Sequence, residues 1–255
     1  MNFINSLFAA FSMFSTLPAP QVPWEKEKIR YMLVCLPFVG LVIGMTEYMW
    51  AVLVDLLELG QALRAAGFTL IPILLTGGIH LDGFMDTVDA LKSHGSPEKK
   101  RAILKDPHVG AFAAIGLGCY LLAYFALCYE LGPGAVRLIV PMHLLSRSLS
   151  AVSGTLLPVR PGEGTLNFFR QAADKRVSIL AVLWVILSAV ILVAVHSLIG
   201  GVMALGAILT LLLVRRMAMK QFEGMSGDIA GFQLQVAELV MLGLLVLTFS
   251  IWRII

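Results

Sequence analysis

Charge is scarce in this sequence. Only 14% of its 255 residues are Asp, Glu, Lys or Arg, against about 25% in soluble proteins. Hydrophobic residues make up 58%, and mean hydropathy is +0.87. That balance excludes a disordered chain, an ordinary soluble enzyme and a nucleic-acid-binding module, so no nucleic acid is expected as a partner. Cysteine is scarce too. Cys35, Cys119 and Cys128 all sit in apolar stretches, with no metal-type spacing and no disulfide framework; they read as small apolar fillers. The sequence has no low-complexity segment and no inverted repeat of the transporter kind. No Lys or Arg precedes the apolar residues 3–17, which makes them a poor secretory signal. Pro18, Pro20 and Pro23 end that stretch, which reads as an interfacial or half-inserted helix.

What is abundant is long apolar runs, and a spanning helix needs about 20 such residues. Residues 31–57 qualify. Residues 65–81 carry no charge, and the helix is expected to continue to about Leu91. Residues 107–129, 138–157 and 229–252 follow, with Arg147 and Glu238 as isolated charges. Residues 177–214 form an uncharged run too long for one span, with a turn expected across residues 196–201. The expectation is an all-α, polytopic membrane bundle of about seven transmembrane helices plus the N-terminal interfacial helix, forming one domain over residues 1–255. Fifteen of the nineteen Lys and Arg fall in alternate connections, residues 24–30, 92–106, 158–177 and 215–220. By the positive-inside rule these loops are cytoplasmic and the C-terminus external.

The acidic residues concentrate in Gly77-Gly78-Ile79-His80-Leu81-Asp82-Gly83-Phe84-Met85-Asp86-Thr87-Val88-Asp89-Ala90. Asp82, Asp86 and Asp89 lie at offsets i, i+4 and i+7, within about 60° of arc on one helix face. Such like charges oppose each other by roughly 0.2–0.5 kcal/mol per i,i+4 pair. At the C-terminal end of an inward-running second helix the macrodipole opposes them as well. A divalent cation bound through oxygens removes both penalties, and hard carboxylates without thiols point to Mg²⁺ or Mn²⁺. His80 points away from this face on a regular helix. It joins the site only if a glycine breaks the helix; otherwise it packs.

Two further clusters open later spans. In Lys105-Asp106-Pro107-His108-Val109-Gly110, Asp106 is a candidate N-cap and Lys105 a candidate phosphate contact. In Gly224-Met225-Ser226-Gly227-Asp228-Ile229-Ala230-Gly231, Asp228 is either an N-cap or another metal ligand. Arg147 is costly in lipid, so it either reaches a substrate phosphate or pairs with Glu47 or Glu238. Carboxylates suited to a metal beside Lys and Arg are the equipment of phosphoryl transfer. The residues alone therefore indicate a membrane-embedded transferase acting on a diphosphate at the cytoplasmic boundary.

The long acidic motif, the continuation Ile103-Leu104-Lys105-Asp106-Pro107-His108-Val109-Gly110-Ala111-Phe112, then Leu145-Ser146-Arg147 and Gly227-Asp228-Ile229-Ala230-Gly231-Phe232 together resemble the cobalamin synthase family, the adenosylcobinamide-GDP ribazoletransferases. Order and spacing match over essentially the whole chain. Thr16 stands where that family usually has Arg, and Glu223 where it usually has Gly. The resemblance implies that the 3′-hydroxyl of α-ribazole, or of its 5′-phosphate, attacks the cobinamide-linked phosphorus of adenosylcobinamide-GDP. GMP leaves, and adenosylcobalamin or its 5′-phosphate forms, in a bacterial or archaeal inner membrane. It implies Mg²⁺ as cofactor, with Asp82, Asp86, Asp89 and Asp228 as metal ligands. Asp82, Asp86, Asp89 and His80 would form the catalytic set, and Lys105 and Arg147 would hold phosphate. Two other readings compete. A CDP-alcohol-type phospholipid synthase usually has Asp-Gly followed after two residues by Ala-Arg, where this chain has Asp86 after Met85. A cation-coupled transporter needs a polar path across the whole membrane.

Overall fold

The computed structural model describes residues 2–132, 134–159 and 164–252; Arg160 and Arg253 of the charge pattern lie outside them. The described chain is helical, with a single isolated parallel bridge between Val159 and Met225. The helices are α1 (Asn2–Phe14), α2 (Lys26–Ile29), α3 (Met32–Leu56), α4 (Gln61–Thr76), α5 (Ile79–Lys92), α6 (Pro97–Ile103), α7 (Ala111–Tyr129), α8 (Ile139–Leu156), α9 (Thr165–Ala172), α10 (Lys175–Val195), α11 (Ser197–Phe222) and α12 (Gly227–Trp252).

This is an all-α polytopic membrane bundle. Among the described residues, α3, α7, α10, α11 and α12 are long and apolar enough to cross a membrane, and α4 with α5 makes a sixth if that bent pair is one span. The seventh expected span, α8, is a helix of 18 residues but is too polar to stand with them. Serines, His143 and Arg147 take the place of lipid-facing leucines, and nearly all of α8 is buried. It packs against α3, α10 and α12 inside the bundle. The turn expected across residues 196–201 is shorter than that. His196 alone breaks the run, and Gly200 sits inside α11, its missing side chain letting the helix start close on the Leu192 carbonyl.

The main departure is at Gly77-Gly78. The expected continuous helix to Leu91 is broken there by a bend of 95°. Both glycines are left-handed, with φ of 63° and 77°, a conformation that residues with a Cβ adopt only at a cost. The Gly78 amide returns to the Ile73 carbonyl (3.1 Å) and closes α4. The N-terminal segment covers this elbow: the Thr16 amide donates to the Leu75 carbonyl (2.8 Å) and its hydroxyl to the Leu74 carbonyl (2.9 Å). The dipole argument changes with the elbow. Asp82 stands in the first turn of α5, where the helix favours negative charge, and not at the end of a continuous helix.

Candidate active site

Helix α5 presents its acidic residues beside the start of α12. Asp82 is exposed, and Asp86, Asp89 and Asp228 are half-buried. Gly83 permits the approach, since a Cβ there would stand 2.8 Å from the Asp228 Cα and carbonyl oxygen. Asp86 faces the charges of Asp82, Asp228 and Asp89, and Asp228 faces that of Asp82. Among the described residues none of the four carboxylates forms an ion pair. Asp228 is not the cap of α12, because Ser226 Oγ accepts the Ile229 amide (3.2 Å).

Asp89 is partly committed elsewhere. The Ala113 amide donates to Asp89 Oδ1 (3.3 Å), and a side chain at Gly110 would collide with its carboxylate. Asp89 thus caps α7 from a neighbouring helix. This corrects the expectation of Asp106 in that role. Asp106 instead accepts the His108 amide (3.0 Å) and pairs with His108 Nδ1 (2.7 Å), which holds its exposed carboxyl below the usual range. His80 is buried and stacks on Phe14, with ring centroids 5.8 Å apart. The charge that acts on it is that of Arg147.

A cavity of about 490 Å³ opens beside the acidic face, within the range of small-molecule sites. Its walls include Arg101, Lys105 and residues 224–229. Asp228 belongs both to this lining and to the carboxylate cluster. The Met225 amide donates to the Pro158 carbonyl (2.9 Å) and fixes that wall.

Arg147 does not line the cavity. Its side chain is 1% exposed and pairs with Glu238. His143, one turn earlier, joins the same group through Nδ1 to Glu238 (2.8 Å) and Nε2 to Glu47 (2.6 Å). The sequence posed phosphate contact against pairing with Glu47 or Glu238, and the geometry is that of pairing, because desolvation makes a countercharge necessary there. Sequence reasoning missed His143, although a second polar side chain at i−4 from an intramembrane Arg was a signal for it. It also passed over Arg101 as a cavity residue.

The fold and site define a class: a polytopic helical membrane enzyme whose acidic helix face and basic cavity wall meet at one aspartate. The profile of a family described as Cobalamin-5-phosphate synthase matches residues 6–246, and the chain belongs to that family. Among its relatives, a protein of Lachnoclostridium phytofermentans named adenosylcobinamide-GDP ribazoletransferase is 38% identical over 94% of this chain and 92% of its own. Proteins of the same name from Clostridium botulinum and Geobacillus kaustophilus are each 30% identical, over 94% and 96% of this chain and 96% and 97% of their own. No solved structure matches the chain.

Proposed function

We propose that this chain is an adenosylcobinamide-GDP ribazoletransferase that joins its activated corrinoid to α-ribazole or α-ribazole 5′-phosphate and releases GMP. In that reaction the ribazole hydroxyl oxygen bonds to the cobinamide-linked phosphorus, and the bond from that phosphorus to GMP breaks. The shared names of the relatives support the activity. The structural observation that carries the reading is that Asp228 joins the carboxylate cluster to a cavity with basic walls.

Mg²⁺ fits the donor chemistry. The carboxylates are hard oxygen ligands without a cationic partner among the described residues, and Mg²⁺ binds through one or two protein carboxylates, waters and substrate phosphates. Among the described residues no three His, Cys, Asp or Glu side chains are arranged as a ready-made metal site, so the substrate's phosphates would complete the coordination. Asp82, Asp86 and Asp228 would hold the ion. When bound, it would neutralise charge developing on the transferring phosphoryl group. Lys105 holds phosphate from the cavity wall. Asp89 positions the site through its cap on α7, and His80 supports α5 by packing under Phe14.

The site faces the cytoplasm in this reading, because the basic connections, α6 among them, lie on its side of the bundle. Single Ser96→Cys in a chain lacking Cys35, Cys119 and Cys128 should resist an impermeant thiol reagent in intact cells. The activity is tested with detergent-purified protein and both substrates, following GMP with and without Mg²⁺. GMP release that needs both substrates and the ion supports the reading, and its absence with folded protein overturns it.

A further inference from the structure

Among the described residues, Arg101 is the guanidinium in the cavity wall that the proposed mechanism does not use. It lies in the last turn of α6, four residues before Lys105, and both line the same cavity as Asp228. Its side chain is only 14% exposed, yet its partners are open to water: Glu223 Oε2 at 2.7 Å, 50% exposed, and Glu98 Oε1 at 3.2 Å, 66% exposed. Glu223 itself is held left-handed, with φ of 61°, between the cavity residues Phe222 and Gly224. A non-glycine residue there is strained, and such strain collects at ligand sites. The neighbouring Lys100 is differently placed: it is buried and bonded to Gln221 (2.6 Å), which already ties α6 to α11.

We propose that Arg101 binds a phosphate of the nucleotide part of the substrate, and that Glu223 occupies its guanidinium until that phosphate displaces it. This rests on the ribazoletransferase reading, which supplies the nucleotide. A guanidinium fork suits a phosphate's paired oxygens better than an ammonium does. A solvated carboxylate is a partner it can exchange at small cost, because exposed ion pairs are weak. Glu223 is thus an internal competitor: removing its charge frees one arm of the fork, Glu98 remaining on the other, whereas removing Arg101 removes the contact.

The test is titration of GMP, with Mg²⁺, into the full-length detergent-solubilised wild type, Arg101→Gln, Arg101→Lys and Glu223→Gln, with melting temperatures alongside. Arg101→Gln should raise the GMP Kd, and the KM for the nucleotide-activated substrate, by about tenfold or more, the size of one charge-assisted phosphate contact. Arg101→Lys should recover part of that loss. Glu223→Gln should lower the Kd several-fold. A merely structural tie between α6 and α11 makes the opposite forecast: breaking the pair from either end lowers the melting temperature and shifts the Kd in the same direction, or leaves it unchanged. That outcome overturns the inference while wild-type GMP release leaves the enzymatic reading standing. If Arg101→Gln does not fold, an unchanged or raised Kd in Glu223→Gln still overturns it. A folded wild type that neither releases nor binds GMP overturns both.

Discussion

Gly83 and Asp228 meet backbone to backbone, with a Cβ on Gly83 placed 2.8 Å from the Asp228 Cα. The helix carrying three of the acids and the helix carrying the fourth are therefore separated by the thickness of a hydrogen atom's worth of side chain. Gly83→Ala must push α12 outward. Overpacking of this kind costs about 1–3 kcal/mol, and the larger expected effect is on turnover, since Asp228 would leave its place beside Asp82 and Asp86. Thermal melting beside the GMP-release assay checks this; a variant with wild-type values for both would contradict the packing.

Asp82→Asn keeps shape and removes one charge from a repelling set. Turnover should be abolished, while stability without metal should change little, because relief of repulsion offsets the lost attraction to the N-terminal end of α5. Mg²⁺ should raise the wild-type melting temperature, since a ligand favouring the folded state stabilises it, and should do so less for Asp82→Asn and Asp228→Asn. Equal stabilisation of all three proteins would remove the carboxylate site.

Asp89 separates two roles by isosteric substitution. As an acceptor for the Ala113 amide, Asn can replace it, so Asp89→Asn should keep stability and most turnover. Asp89→Ala should lose about 1 kcal/mol, the usual value of a cap. Loss of turnover in the Asn variant at wild-type stability would show that the charge itself is needed at the reacting phosphate.

Arg147→Met removes the guanidinium partner of Glu238 and leaves that acid to His143 and Ser146; breaking one side of a buried pair costs about 3–5 kcal/mol. Pairing it with Glu238→Leu should recover part of the loss, because the acid's charge goes too. A melt in detergent distinguishes this from substrate contact: normal melting with weakened binding of the nucleotide substrate would return Arg147 to the phosphate.

The sequence made some of this legible and not the rest, for physical reasons. Apolar length alone identifies α3, α7 and α12, and an uncharged run of 38 residues must turn somewhere, although only the structure puts the break at His196. The same criterion joins α4 to α5, because glycines at an elbow are as uncharged as glycines in a span. Hydropathy does not register a left-handed backbone. The acidic face of α5 was readable because i, i+4 and i+7 are local spacings. The cap of α7 was not: Asp106 is the neighbour in sequence, but Asp89 reaches Ala113 from another helix. For Arg147 the two possible carboxylates could be named, but their sharing of His143 is a product of tertiary packing.

The Glu47–His143–Glu238–Arg147 group also imposes an order on biogenesis. Glu47 enters the bilayer on α3, 96 residues ahead of His143, and Glu238 arrives on α12, after α1 to α11. A charged residue at the centre of a lone inserting helix costs about 2.5–3.5 kcal/mol. α8 carries Arg147 with too few apolar residues to offset that comfortably. Its retention in lipid must therefore lean on α3, already waiting with an acid, and its final seating on α12, which brings the Arg147 counter-ion last. The helix at the middle of the finished bundle is a guest of its neighbours while it is being made, and a ribosome stalled before residue 238 should leave it the segment most easily extracted.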